Sequence, residues 1–190
     1  MKKKGMAGYI SARKKQVILK TTLEFGVIVA LLVLGILQTG SRKNLLTVVA
    51  IVGCLPAAKA MVEMIMMLPH RTISETECNA IEACATDLTR LYDLVFTSEK
   101  KVMPVNSIVV YGNNICGYTS DVKVDIQFTA KHLQTYLQTN GLGKTTVKIY
   151  QDFNEYRKRV EDMNHMAQKG EKETRKNEEA IRGVILNLSL

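Results

Sequence analysis

Asp93, Asp121, Asp125 and His132 are the side chains that could combine for acid–base or metal-assisted hydrolysis, because carboxylates with an imidazole are the groups such chemistry uses. Their spacing works against it. Asp125 and His132 are seven apart, on one helical face but two turns distant, which is beyond a chelate. Asp121 reads as a helix-start residue, Asp125 favours the same dipole end, and His132 reads as a half-buried surface residue. Asp93 lies in a run of period two and reads as the solvent-facing member of the alternation. A different chemistry attaches to Lys59 and Glu63, four apart inside an apolar run, where they can pair. Such a pair can serve an ion or proton path. It has no acidic or histidine partner in the neighbouring run, so it is expected at the interface of a helix that projects from the membrane. Glu24, at the edge of the first run, gets the same reading.

Other motifs carry less. Gly143-Lys144-Thr145 resembles the tail of a phosphate-binding loop, but Gln138 stands where the leading glycine would be, and the segment leaves a helix and enters a strand. It reads as a helix stop and turn. Cys54, Cys78, Cys84 and Cys116 form no C-x-x-C pair and have no histidine at ligand spacing, so neither a zinc site nor a disulfide framework is expected. No cofactor motif is present, and the acceptor triplet Asn187-Leu188-Ser189 is empty in a cytoplasmic tail.

The stretch that positions everything else is 21–68. Phe25 to Leu37 carries no polar residue, and with its flanks it approaches the ~17 to 20 residues a helix needs to cross hydrocarbon. Leu45 to Leu68 is longer, with Pro56 at its middle. The short turn between them, Thr39-Gly40-Ser41-Arg42-Lys43-Asn44, forces antiparallel neighbours. The reading is a transmembrane hairpin with spans at about 21–38 and 45–68, after a basic leader, 1–20, and before an α+β domain, 69–190. Gly26, Gly35 and Gly53 allow close approach of hairpins, so self-association is plausible.

Net charge is +8, with pI near 9.3. Up to Pro69 there are ten basic and two acidic residues; from His70 onward the counts are sixteen and sixteen. The soluble region therefore has no net field to collect phosphates, which argues against nucleic acid. Lys2, Lys3, Lys4, Arg13, Lys14, Lys15 and Lys20 precede the first span, against Arg42 and Lys43 in the turn. The positive-inside rule then puts leader and domain in the cytoplasm of a multi-pass cell-membrane protein of bacterial type. The leader is expected to hold anionic lipid headgroups.

Within the domain, Ser74-Glu75-Thr76-Glu77 is a capping box opening a helix to about Thr89. Strands are expected over 91–97, 106–111 and 115–119, the last two joined at Gly112-Asn113-Asn114, with 98–104 a loop. Ser120-Asp121 caps a second helix ending at Asn140-Gly141, Thr146 to Tyr150 is a fourth strand, and Asp152 opens a third helix reaching about Gln168. A break at Gly170 and a further helix to about Arg182 follow, and Val184 to Leu190 leans toward a fifth strand. The fold class is α+β, with a mixed sheet of four or five strands flanked by helices.

The order helix, three strands, helix, strand resembles that of the restriction-endonuclease-like fold. That resemblance implies an acid on the second strand and an acid-x-lysine pair on the third, yet Asn106 to Ser120 contains no Asp, Glu or Lys. The function expected is a membrane-anchored binding or scaffolding protein, as a homo-oligomer or with a protein partner. The alternatives are a tethered hydrolase or nuclease with a degenerate site, or a small oligomeric transport accessory.

Overall fold

A computed structural model gives the fold and describes residues 3–40, 45–98, 101–169 and 175–189. The chain divides into two compact units, one of Ile10–His70 and one of Met1–Tyr9 with Arg71–Leu190.

The first unit is a helical hairpin of α1 (Tyr9–Thr39) and α2 (Leu45–Met67). Both helices are long and apolar enough to cross a membrane. At 1.5 Å per residue the 31 residues of α1 exceed a hydrocarbon core of ~30 Å, so the helix has length to spare at its basic N-terminal end. The antiparallel fit is fixed by Thr21, whose hydroxyl donates to the Ala60 carbonyl, and by Lys14, whose ammonium donates to the Leu68 carbonyl. Where the helices touch, Ile28, Ala50 and Ala57 are buried. Pro56 lies inside α2 without ending it, which membrane helices tolerate. Of the expected turn, residues 41–44 lie outside the described residues.

The second unit is an α+β domain. Its helices are α3 (Glu75–Cys84), α4 (Ile126–Thr139), α5 (Phe153–Lys169) and α6 (Arg175–Leu188), and its strands are β1 (Thr89–Thr97), β2 (Val102–Tyr111), β3 (Asn114–Tyr118) and β4 (Thr146–Tyr150). The sheet order follows the chain, antiparallel from β1 to β3 and parallel between β3 and β4, which are connected through α4. One sheet face packs against Leu133 and Leu137 of α4 and Ile181 and Ile185 of α6. The other packs against Ile81 of α3 and Tyr156, Val160 and Met163 of α5. Three layers result, with helices packed on both sheet faces.

Local signals act where they were expected. Ser74 and Glu77 form both halves of the capping box, and the Asp152 carboxylate accepts from the amides of Asn154 and Glu155 as α5 begins. Gly112 takes φ 56 at the first position of a two-residue turn between Tyr111 and Asn114, a conformation glycine adopts without a Cβ penalty. The segment Leu142 to Thr145 is a turn between α4 and β4, with the Thr145 hydroxyl donating to the Leu142 carbonyl.

Four expectations change. Helix α3 stops at Cys84 rather than near Thr89, because Asn164 of α5 captures the chain beyond it, accepting from the Asp87 amide and donating to the Thr86 hydroxyl. Strand β2 begins at Val102, inside the expected loop, and includes Pro104. At that level β2 has only β1 beside it, because β3 reaches no further than the pair Ser107 and Tyr118, so a residue without an amide is accommodated. The cap of α4 is Asp125, which accepts from the Phe128 amide at 3.0 Å, whereas Asp121 closes its own turn by accepting from the Lys123 amide. Val184 to Leu188 is helical, not a fifth strand, since Ile181 and Ile185, one turn apart, are both fully buried on the sheet. Among the described residues of this segment only Ser189 bridges the sheet, at Phe96. The expected break at Gly170 lies outside the described residues.

Candidate functional site

The four candidate residues do not converge on one described cluster. Asp93 is 3% exposed, so the solvent-facing reading is overturned. It takes φ 54, the one positive φ at a non-glycine among the described residues, and there the strand alternation changes phase. Leu91 faces the α4 and α6 layer and Tyr92 the α3 and α5 layer, yet Leu94 and Phe96 return to the side of Leu91. The same switch occurs across the ladder, where Ile108 and Val105 share a face. Asp93 and Asn106 stand between the paired residues Tyr92 with Ser107 and Leu94 with Val105.

Each of these two polar side chains then holds a piece of chain. The Asp93 carboxylate accepts from the Thr72 hydroxyl and, at 3.0 Å, from the Ile73 amide. The Thr72 hydroxyl in turn accepts from the Gly8 amide at 3.2 Å. Asn106 accepts from both the amide and the hydroxyl of Ser120. Residues 8 and 72 are where the chain leaves this unit for the hairpin and re-enters it, so one buried carboxylate organises both passages. The leader is fixed further by Gly5, whose carbonyl accepts from the Tyr92 amide at 2.9 Å, and by Lys4, whose ammonium donates to the Ser189 carbonyl. Gly5 has φ 85, and a Cβ there would meet Leu186 and Leu91 at 3.0 Å. Burial lowers the Lys4 ammonium from its ordinary pKa.

Asp125 combines its cap with an ion pair to Lys101 at 3.3 Å. The Phe128 amide first, and Lys101 second, hold its carboxyl below the usual carboxylate range. His132 stacks on Phe128, with ring centroids 6.2 Å apart, and Lys101 lies over the Phe128 ring. This is a surface stack built on a helix cap. Among the described residues no group of three or more His, Cys, Asp or Glu side chains is placed to hold a metal.

In the hairpin, Glu63 pairs with Arg13 at 2.7 Å, and no ion pair joins it to Lys59. The partner comes from the basic N-terminal part of α1, which sequence spacing within α2 alone does not reveal. Glu24 pairs with Lys20 at 3.8 Å, one turn away.

Sequence reasoning also passed over Glu178, 6% exposed on α6. Its carboxylate accepts from the Thr89 hydroxyl and the Gly112 amide, each at 2.9 Å, and so ties the first strand to the hairpin turn. Nothing local marks it, since it sits in a run of exposed charges. The Tyr156 hydroxyl shares a hydrogen bond with Ser107 at 3.0 Å, and the Tyr118 hydroxyl donates to Glu77. Burial is the leading cause that pushes the Cys78, Cys84 and Cys116 thiols up, which makes them poor nucleophiles.

Comparison with family models, with curated proteins and with solved structures finds no match for this chain. The residues themselves describe a polar junction that orders the chain on either side of two apolar helices.

Proposed function

We propose that this chain is a two-helix membrane anchor that carries its α+β unit on the cytoplasmic side as a binding or scaffolding module. The observation that carries the reading is the arrangement of the hairpin. Its large apolar side chains, such as Leu37, Leu45 and Leu55, are exposed, while Ala50 and Ala57 fill the contact between the helices. A surface of that kind is stable against lipid and costly against water. Arg13 and Lys14 gather at one end of the hairpin with Glu63 and Leu68, which favours that end at the cytoplasmic headgroups.

The binding reading rests on where the candidate chemistry went. Asp93 accepts from the amide of a distant segment, and Asp121 and Asp125 accept from amides of their own turn and helix, uses that shape the fold. Partners follow from the same reading, as a second copy or another protein held at the membrane. The test is short-arm cross-linking in native membranes followed by purification in mild detergent. A discrete cross-linked species is expected; a strictly monomeric protein with none would contradict the reading. A rise in melting temperature with divalent metals or nucleotides would instead favour a tethered enzyme, because binding to the native state stabilises it.

A further inference from the structure

We infer that the open edge of β4 receives an extended acidic segment of a partner protein as an added strand. The inference rests on the reading of the α+β unit as a binding module and names the class of partner.

The two edges of the sheet are treated differently by the fold. Along β1 the chain's own ends cover the edge, through the Tyr92 amide donating to Gly5 and the bridge between Phe96 and Ser189. Among the described residues, strand β4 pairs only with β3. The Thr146 amide donates to the Asn113 carbonyl at 2.8 Å, and the Tyr150 carbonyl accepts from the Thr119 amide at 3.0 Å. Both bonds point toward β3, which fixes the phase of the ladder. In a parallel pair the backbone groups of alternate residues face the same neighbour, so those of Val147 and Ile149 face outward. That is the hydrogen-bonding pattern an added strand uses.

Charge selects the occupant. From Gln138 to Tyr150 the chain holds Lys144 and Lys148 and no Asp or Glu. Lys148 is exposed, with its ammonium 4.8 Å from the Tyr150 ring centroid. Arg159 of α5 lies at the Cys116 thiol, and Cys116 is the ladder partner of Lys148. None of Lys144, Lys148 and Arg159 takes part in an ion pair among the described residues. The next acid, Asp152, has its carboxylate turned to the amides that open α5. A second copy fits poorly, because antiparallel pairing of two β4 edges centred on Lys148 sets like charges opposite each other. An acidic strand completes the ladder and neutralises the cations together.

The experiment titrates the full-length protein in lipid nanodiscs with a fluorescent peptide alternating glutamate with valine and threonine, long enough to run along β4. Its counterpart has lysine for every glutamate. Saturable binding of the acidic peptide is expected, weakened at least about tenfold in the counterpart and in Lys148→Glu. Val147→Pro, which removes an outward amide at an edge where proline is tolerated, is expected to weaken it as much. If Val147→Pro fails to fold by circular dichroism, Lys148→Glu alone decides. Absence of saturable binding, equal binding of both peptides, or binding indifferent to these substitutions would overturn the inference. So would a concentration-dependent dimer lost in Val147→Pro, which would put a second copy on the edge. A cross-linked partner that survives both substitutions would leave the binding module standing and move its site elsewhere.

Discussion

In the hairpin unit the buried apolar set is Ile28, Ala50 and Ala57, with Leu31 and Leu32 against it, while Val29, Val33, Leu34 and Leu55 are half exposed or more. In the α+β unit the order is reversed. Phe96, Leu91, Ile108 and Tyr156 are fully buried on the two sheet faces, and the exposed positions are largely charged or polar. The two units share one chain, and the proposed membrane anchor would have them face different solvents. Water drives large apolar groups inward in one, whereas in the other small residues mediate helix contact and large ones are exposed, as a lipid-facing surface would have them. Mean composition hides the contrast, because hydropathy averaged over the whole chain is −0.01.

The contrast can be broken most severely at a core aromatic. Phe96→Ala should cost about 3 to 5 kcal/mol in the α+β unit, by removing a ring packed on every side and leaving a cavity. Thermal melting in detergent would read it, and Leu55→Ala, at a hairpin position 73% exposed, should leave that transition in place.

Next in size is a charge placed on the outer surface of each unit. Val29→Lys should oppose insertion by about 2.5 to 3.5 kcal/mol if that face meets the centre of a bilayer. Val122→Lys, at a position 86% exposed in the α+β unit, should stay within about 0.5 kcal/mol of the parent. The amounts of protein recovered in membranes would compare them. Equal recovery of both would remove the distinction between the two solvents.

The junction comes third. Asp93→Ala strands the Thr72 hydroxyl and the Ile73 amide, a loss of about 1 to 3 kcal/mol for each buried donor left unpaired. Asp93→Asn keeps one acceptor oxygen and should lose less. Hydrogen exchange should quicken at Ile73 and at Gly8, whose amide is held through Thr72. No change at Gly8 would mean that the two passages are not joined through this carboxylate.

The smallest effect is a pH dependence at Asp125. Its folded pKa lies below the unfolded value, chiefly through the Phe128 amide and then Lys101, so its stabilisation is present above the unfolded pKa of about 3.9 and fades as pH falls through the lower, folded value. Asp125→Asn retains a good cap without the charge. It should melt slightly below the parent near neutral pH, with the difference closing in acid.

How far sequence reasoning reached depended on where the determining partner lies. The hairpin spans, the capping box at Ser74, the turn at Gly112 and the Asp152 cap are set by neighbours within a few residues. The end of α3, the inward turn of Asp93 and the burial of Glu178 are set by Asn164, Thr72 and Gly112, each far away in the chain. Asp93 misleads because, as the one acid between Leu91 and Thr97, it reads as the outward member of a period of two, whereas a backbone at positive φ shifts the phase and turns it inward. Arg13 was missed as the partner of Glu63 because Lys59 stands at the ordinary helical spacing.

Accessibility of a single introduced thiol tests the central claim most directly, in a protein with Cys54, which is exposed, and Cys84, which is half-buried, changed to serine; the thiols of Cys78 and Cys116 are buried. Val122→Cys places one on the exposed surface of the α+β unit. A membrane-impermeant maleimide applied to intact cells should leave it unlabelled, and the same reagent should label it fully once the membranes are opened. Labelling in intact cells would put the α+β unit on the outer side and contradict a cytoplasmic module held by a membrane hairpin.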